Sequence, residues 1–220
     1  MRKGVTVAAI VALVLAVVGI AADRVAVGVA ERAVSERVQA ELPGATDVTT
    51  SIEGFPALTQ VVCGSLDHVT VTARKVGTEK GTLDSVVVDL YDVSTSSPRT
   101  ARTVRATAEV PLAVLQAQLG DSWLIAVEGD ALRADFAGAL PISATVTPAV
   151  QGGAITLDLR TLSLAGVEVS GDQVPDFVEE ALNRMVGSVG ALPFGLAPTG
   201  TTVTPDGVMV TASGTDVSLE

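Results

Sequence analysis

Few side chains in these 220 residues could do covalent or proton-transfer chemistry: one histidine, His68, one cysteine, Cys63, and a scatter of acids. Histidine is the commonest general base and cysteine the most nucleophilic side chain, so they come first. His68 directly follows Asp67. Adjacent residues on a strand point to opposite faces, so Asp67 is badly placed to orient that imidazole. The better reading of His68 is a surface or turn histidine. Cys63 has only this histidine as a base and reads as a buried thiol. Gly120-Asp121-Ser122-Trp123-Leu124 lacks the closing glycine of a nucleophile elbow, and no G-x-S-x-G occurs elsewhere. A single His and a single Cys also argue against the usual multi-ligand zinc, haem and dithiol sites, so no cofactor is expected.

The acids offer little more. Asp84, Asp89, Asp92, Glu109, Glu128, Asp130, Asp135 and Asp158 fall in turns or in the polar phase of alternating segments. Glycosidases need two carboxyls facing each other across a sugar, and nothing in the spacing selects a pair. Calcium loops and phosphate-cradling glycine loops are missing too. A non-catalytic protein is the expectation. With 25 acids against 14 bases the net charge is −11. That balance disfavours nucleic acid as a partner, because displacing counterions from phosphates needs Lys and Arg. It also disfavours adsorption to an anionic membrane by charge alone.

The chain begins Met1-Arg2-Lys3, followed by an uncharged run from Gly4 to Ala22. Nineteen helical residues reach about 28 Å, close to the roughly 30 Å of a bilayer's hydrocarbon core. Residues 1–22 are therefore expected to be a signal peptide or a signal anchor. The basic residues stay in the cytoplasm, and residues 23–220 cross as one exported domain. Asp23 to Leu42 reads as an amphipathic helix with an apolar stripe of Val27, Ala30, Val34, Val38 and Leu42, ended by Pro43-Gly44.

From about Asp47 the dominant period is two. Val69, Val71 and Ala73, then Val86, Val88 and Leu90, then Ile142, Ala144 and Val146 alternate with mostly polar neighbours. So do Ile155, Leu157 and Leu159, and finally Val208, Val210 and Ala212. Such patterns suit antiparallel strands with one buried face. Glu128-Gly129-Asp130, Gln151-Gly152-Gly153 and Pro205-Asp206-Gly207 read as hairpin turns. Helices are expected at Pro111–Leu119 and, longer, at Val174–Val189. Pro193 to Pro198 reads as an apolar connector. The fold class is α+β.

Apolar residues make up 48% of the chain but aromatic ones only 3%. An aliphatic lining with few rings is permissive for acyl chains of varied length. At about 0.8 kcal/mol per buried methylene, a sixteen-carbon chain gains on the order of 10 kcal/mol before ordering costs. The same residues could equally pack on one another.

Several segments carry a resemblance: Ser51-Ile52-Glu53-Gly54-Phe55-Pro56-Ala57-Leu58-Thr59-Gln60, Gly64-Ser65-Leu66-Asp67-His68-Val69-Thr70-Val71-Thr72-Ala73, Val87-Val88-Asp89-Leu90, Leu192-Pro193-Phe194-Gly195-Leu196 and Gly207-Val208-Met209-Val210-Thr211-Ala212-Ser213-Gly214. In order and spacing, from about residue 23 onward, they resemble the actinobacterial cell-envelope family typified by the lipomannan elongation factor LmeA. The resemblance implies an exported, non-catalytic domain that binds phospholipid, phosphatidylinositol in particular, and supports mannan extension of lipoglycans. It implies a tubular lipid-binding fold, in which a strongly curved antiparallel sheet wraps around a long amphipathic helix. Ala57 stands where such proteins often carry a bulkier apolar residue.

On this reading the acyl site lies between the Val174–Val189 helix, the Gly54–Leu58 corner, the Pro193–Leu196 connector and the inward strand faces. Phe55, Leu58, Phe177, Leu182, Phe194 and Leu196 are its expected lining. The partners are a phosphatidylinositol-like phospholipid, the cytoplasmic membrane through the N-terminal helix, and envelope glycosyltransferases. The alternative is a membrane-anchored scaffold for envelope enzymes with a solid core. A lipid-acting hydrolase or glycosyltransferase would instead need Asp67 or His68 beside a second acid. Arg74, Lys75, Lys80, Arg99, Arg102 and Arg105 read as a solvated strand face that could supply a local basic patch.

Overall fold

The computed structural model describes residues 2–42, 44–78, 80–138, 141–169, 178, 180 and 192–219. Its first element, α1 (Arg2–Glu41), is one unbroken helix. The apolar run and the expected amphipathic segment are therefore continuous, with no break at Asp23. The side chains of the run ahead of Gly19 lie outside the described residues. Among the described residues no helix is long and apolar enough to cross a membrane.

The described strands form two open antiparallel sheets. β1 (Thr46–Glu53), β2 (Ser65–Thr78), β3 (Gly81–Ser94), β4 (Thr100–Pro111), β10 (Ala197–Thr204) and β11 (Gly207–Ser218) make the first, in the order β1-β2-β3-β4-β11-β10. A short helix, α2 (Ala57–Cys63), joins β1 to β2. β5 (Trp123–Glu128), β6 (Ala131–Phe136), β7 (Ile142–Gln151), β8 (Ala154–Leu164) and the short β9 (Val167–Glu168) follow one another in the second sheet. All three expected hairpins are present, closing β5–β6, β7–β8 and β10–β11. This corrects the expectation of a single curved sheet around a helix: among the described residues there are two sheets, and neither closes. They meet where β10 lies against β7 and β8.

α1 packs along β1, the edge strand of the first sheet. An edge strand has a row of backbone N–H groups without strand partners, and covering it with a helix is one remedy. Glu31 Oε1 accepts the N–H of Ile52 at 2.8 Å, and Ser35 Oγ lies 3.0 Å from Thr50 Oγ1. The face of α1 that meets the protein thus carries polar residues, Asp23, Glu31 and Ser35, around the buried Val27. Of the expected stripe, Val27 is buried and Val38 and Leu42 are half-buried, whereas Ala30 and Val34 face water.

The second sheet holds a sealed core, with Ile125, Val127, Val150, Leu157, Leu159 and Leu164 half-buried around it. Leu132, Ala144, Val146 and Leu162 are at most 2% exposed, and Trp123 meets Phe136 with ring centroids 5.1 Å apart. α3 (Leu112–Leu119), capped by Pro111 and ended by Gly120, adds Leu115 and Leu119 to this core. Val178, helical and fully buried, joins the same cluster, which also takes in Val208 and Val210 of the first sheet. Phe177, Leu182 and most of the expected Val174–Val189 helix lie outside the described residues.

Candidate functional site

The apolar face of the first sheet mixes buried residues, among them Val69, Ala73, Val104, Val208 and Val210, with half-buried ones. Pairing puts Val71, Val88 and Ala106 in one cross-strand row and Val86 and Ala108 in the next, with Leu90 beside Val69 and Val104. These residues share the inner face with the buried Val69, Ala73 and Val104, yet Val71, Val86, Val88, Leu90, Ala106 and Ala108 are all only half-buried. They carry no polar atom on their side chains and vary in size only from methyl to isobutyl. Half-buried aliphatic surface of this kind gains from contact with a methylene chain.

This strip runs toward one end of the sheet. Glu53, His68, Tyr91, Thr103 and Thr215 form a continuous row across β1, β2, β3, β4 and β11. Beyond that row stand α2, the turn between β3 and β4, the last residues of β11 and the short 3-10 turn Pro193–Gly195. The expected lining residues within the described part of the chain gather there. Phe55 is 53% exposed and Leu58 44%, at the β1 corner; Phe194 is 64% exposed beside β11. Leu196 is half-buried and packs with Val104 and Val217. Phe194 has φ +58°, a left-handed conformation that a bulky side chain rarely adopts and that costs of order 1–3 kcal/mol.

Between those corners lies a polar cleft of about 270 Å³ lined by Gly64, Ser65, Asp92, Ser94, Thr100, Arg102 and Asp216. The strand pairings set Asp92 and Asp216 on either side of Arg102, and both aspartates have φ +51°. Short polar side chains tolerate that conformation best. Arg102 Nε lies 3.5 Å from Asp92 Oδ2. The cleft is smaller than the roughly 300–1,000 Å³ of sites that enclose a whole drug-sized ligand. It offers one guanidinium for an anionic oxygen, and carboxylates and hydroxyls for hydroxyl groups. The residue pattern alone puts Arg102 on a solvated strand face; the kinks at Asp92 and Asp216 that frame it have no sequence signature.

His68 sits on the row that bounds this end. Its Nδ1 lies 3.0 Å from Glu53 Oε2 and its Nε2 3.1 Å from Asp89 Oδ1, and its ring stacks on Tyr91 at 4.4 Å. Arg105 lies over the other partner of that stack, 5.5 Å from the Tyr91 centroid. Burial works against a charge on His68, but the hydrogen bonds to Glu53 and Asp89 and their negative charges outweigh it. The pKa is raised above the ordinary histidine value. With both ring nitrogens held by carboxylates, the imidazole has no lone pair to offer a substrate. Its acids come from neighbouring strands, not from Asp67. Cys63 corrects another expectation: it is exposed, at the end of α2, because a seven-residue helix that sequence periodicity does not reveal carries it outward. Among the described residues no group of three or more His, Cys, Asp or Glu could hold a metal ion.

A family model described as LmeA-like phospholipid-binding matches residues 21–213. The chain belongs to this family. No curated protein and no solved structure matches it. The LmeA-like match begins near the end of the apolar run and covers both sheets except the last five residues of β11, so the half-covered strip and most of the polar cleft lie within the region shared with a phospholipid-binding family.

Proposed function

We propose that this is an exported, membrane-tethered phospholipid carrier or sensor without catalytic activity, serving lipoglycan assembly in the cell envelope. The observation that carries the lipid part is the half-buried aliphatic strip of the first sheet in a chain of the LmeA-like phospholipid-binding family. Val71, Val86, Val88 and Leu90 take the acyl chains. The headgroup lies at the end where the strip runs out, with Arg102 meeting the phosphate and Asp92, Asp216 and the cleft hydroxyls meeting a polyol. That donor and acceptor set favours a phosphatidylinositol-type lipid over one with a cationic headgroup. Phe177 and Leu182 are retained as lining residues, and Phe55, Leu58, Phe194 and Leu196 as residues of the mouth. The uncharged run Gly4–Ala22 behind Arg2 and Lys3 supports tethering with the sheets on the far side of the cytoplasmic membrane. Envelope glycosyltransferases are the proposed protein partners.

Native mass spectrometry of the full chain, released from detergent, tests the lipid part. Expected is an added mass of one phospholipid, removed by organic extraction and absent from Val88→Asp. An unmodified mass after incubation with excess phosphatidylinositol would overturn the reading.

A further inference from the structure

The short helix α2 is built inside out. Of its two polar side chains Thr59 is exposed, but the longer Gln60 is turned to the protein: Oε1 accepts the N–H of Asp67 at 2.9 Å, and Nε2 donates to the carbonyl of Glu53. Ala57 is buried beneath it. The outward face is apolar instead, with Leu58 44%, Val61 52% and Val62 87% exposed at the i, i+3, i+4 spacing of one helical stripe. Phe55, half exposed just ahead of the helix, extends the patch, and the Arg24 guanidinium lies 5.4 Å from its ring centroid. Phe194 is exposed at the opposite corner of the same end. Exposed apolar side chains thus cluster at one corner of this end and recur at the other, a pattern associated with contact surfaces.

The helix α1 indicates what covers it. Asp23, 2% exposed, is the first charge after the uncharged run, and its Oδ1 accepts the N–H of Leu58 at 2.7 Å. The carboxylate fixes α2 to α1 at the level where the uncharged run ends. If Gly4–Ala22 enters a bilayer, α2 lies at its surface, with Leu58, Val61 and Val62 on the side away from the sheet. The charges around the patch are mixed: Arg24, Arg99 and Arg102 stand against Asp67, Asp92 and Asp216. Such a rim is matched to a lipid surface by its apolar side chains, not by net charge.

We propose that this end of the first sheet, with α2 and Phe55 at one corner and Phe194 at the other, docks on the phospholipid bilayer and sets the mouth of the lipid site at the membrane surface. The proposal rests on the tethering reading of Gly4–Ala22. Interfacial docking of this kind buries apolar side chains at the headgroup–acyl boundary. It holds on neutral lipid and depends little on salt, unlike adsorption through a polybasic patch.

The native Cys63, the only cysteine, stands at the end of α2 and accepts a fluorophore without mutation. The full chain carrying that label is reconstituted in phosphatidylcholine vesicles. Quenching by doxyl-labelled phospholipid is compared with quenching by aqueous iodide. Expected is strong doxyl quenching and iodide protection at Cys63, and the same for a label at the opposite corner in a Phe194→Cys, Cys63→Ser double variant. A label placed in the second sheet by Gln151→Cys, again with Cys63→Ser, should show the reverse. Val62→Asp, on a side chain already 87% exposed and so harmless to the fold, should restore iodide access at Cys63 severalfold. A chain that floats with the vesicles but leaves Cys63 open to iodide would overturn the docking proposal alone. A chain that does not float would overturn the tether and the docking together. Protection that appears only when other proteins are added would assign the face to a protein partner and overturn it as well.

Discussion

The two sheets are made from the same residues, each has both sealed and half-buried positions, and two of their regions differ in depth. In the second, Ala144 and Val146 of β7 and Leu132 and Leu162 of its neighbours are sealed from water. In the first, Val71, Val86, Val88 and Leu90 hold equivalent positions in the alternation and stay half-covered. Identical valines at identical period are thus sealed in one place and half-covered in another. The difference lies in what each face is packed against. α3, Trp123 and Val178 pack on the second sheet's face and on Val110, Val208 and Val210 of the first, whereas α1 lies along β1 with Val27 in the cluster that includes Val69, Val71 and Leu90. Family membership is consistent with that division, since phospholipid binding needs aliphatic surface that folding itself leaves uncovered.

The largest expected effect breaks this comparison from the packed side. Leu162→Ala should cost about 2–5 kcal/mol, the usual range for truncating a sealed leucine. Val88→Ala, on the half-covered strip, should cost under about 1 kcal/mol, because less apolar surface is lost and no sealed cavity is left. Urea denaturation of the two variants measures the gap, and equal losses would mean that the strip is ordinary core. Gly207→Ala should also destabilise strongly: a Cβ there would stand 2.0 Å from the carbonyl oxygen of Val110, where β11 meets the end of β4. Its thermal midpoint should fall well below that of Gly28→Ala, in α1, where no atom lies within 4 Å.

A smaller effect concerns His68 in the first sheet. Its folded pKa is raised, so the protonated form contributes stability that is fully present below the unfolded value of about 6.5. That contribution is lost as pH rises through the folded pKa. Melting curves across this window should fall on the alkaline side for the natural chain and stay flatter for His68→Asn. The second sheet's counterpart points the other way. Arg160 donates two hydrogen bonds to Asp130 and holds that carboxyl below its ordinary value, so its contribution exists above about pH 4 and is lost on acidification. Both groups are exposed to water, so Arg160→Ala should leave the melting temperature almost unchanged in physiological salt.

Much of this architecture is legible in the residues, because side-chain alternation is local. Ile142, Ala144 and Val146, and Val208, Val210 and Ala212, are buried in the phase their spacing predicts. The turns at Gly129, Gly152 and Gly207 close the hairpins their glycines announce. What the residues do not reveal depends on contacts between distant parts of the chain. The division into two sheets turns on which edges pair, and alternation carries no information on that. The buried face of α1 differs from its apolar stripe because a helix lying on a strand edge needs acceptors such as Glu31. α2 is hidden because seven residues with an outward apolar face look like a continuing connector, and Cys63 therefore reads as an inside residue. Phe55, Leu58, Phe194 and Leu196 stand out in the sequence by their apolar character outside the alternating segments. Arg102 between Asp92 and Asp216 emerges only when three strands are set side by side.

If the first sheet is the lining and the second the filler, acyl chains lie on the one and are excluded from the other. Photolabelling of the full chain with a phospholipid carrying a diazirine on its acyl chain tests this most directly, with the adducts mapped by peptide mass spectrometry. Labelling is expected on peptides that contain Val71, Val86, Val88 and Leu90, and none on Leu132, Val146 or Leu162. Adducts concentrated on β6, β7 and β8, or spread evenly over both sheets, would contradict it.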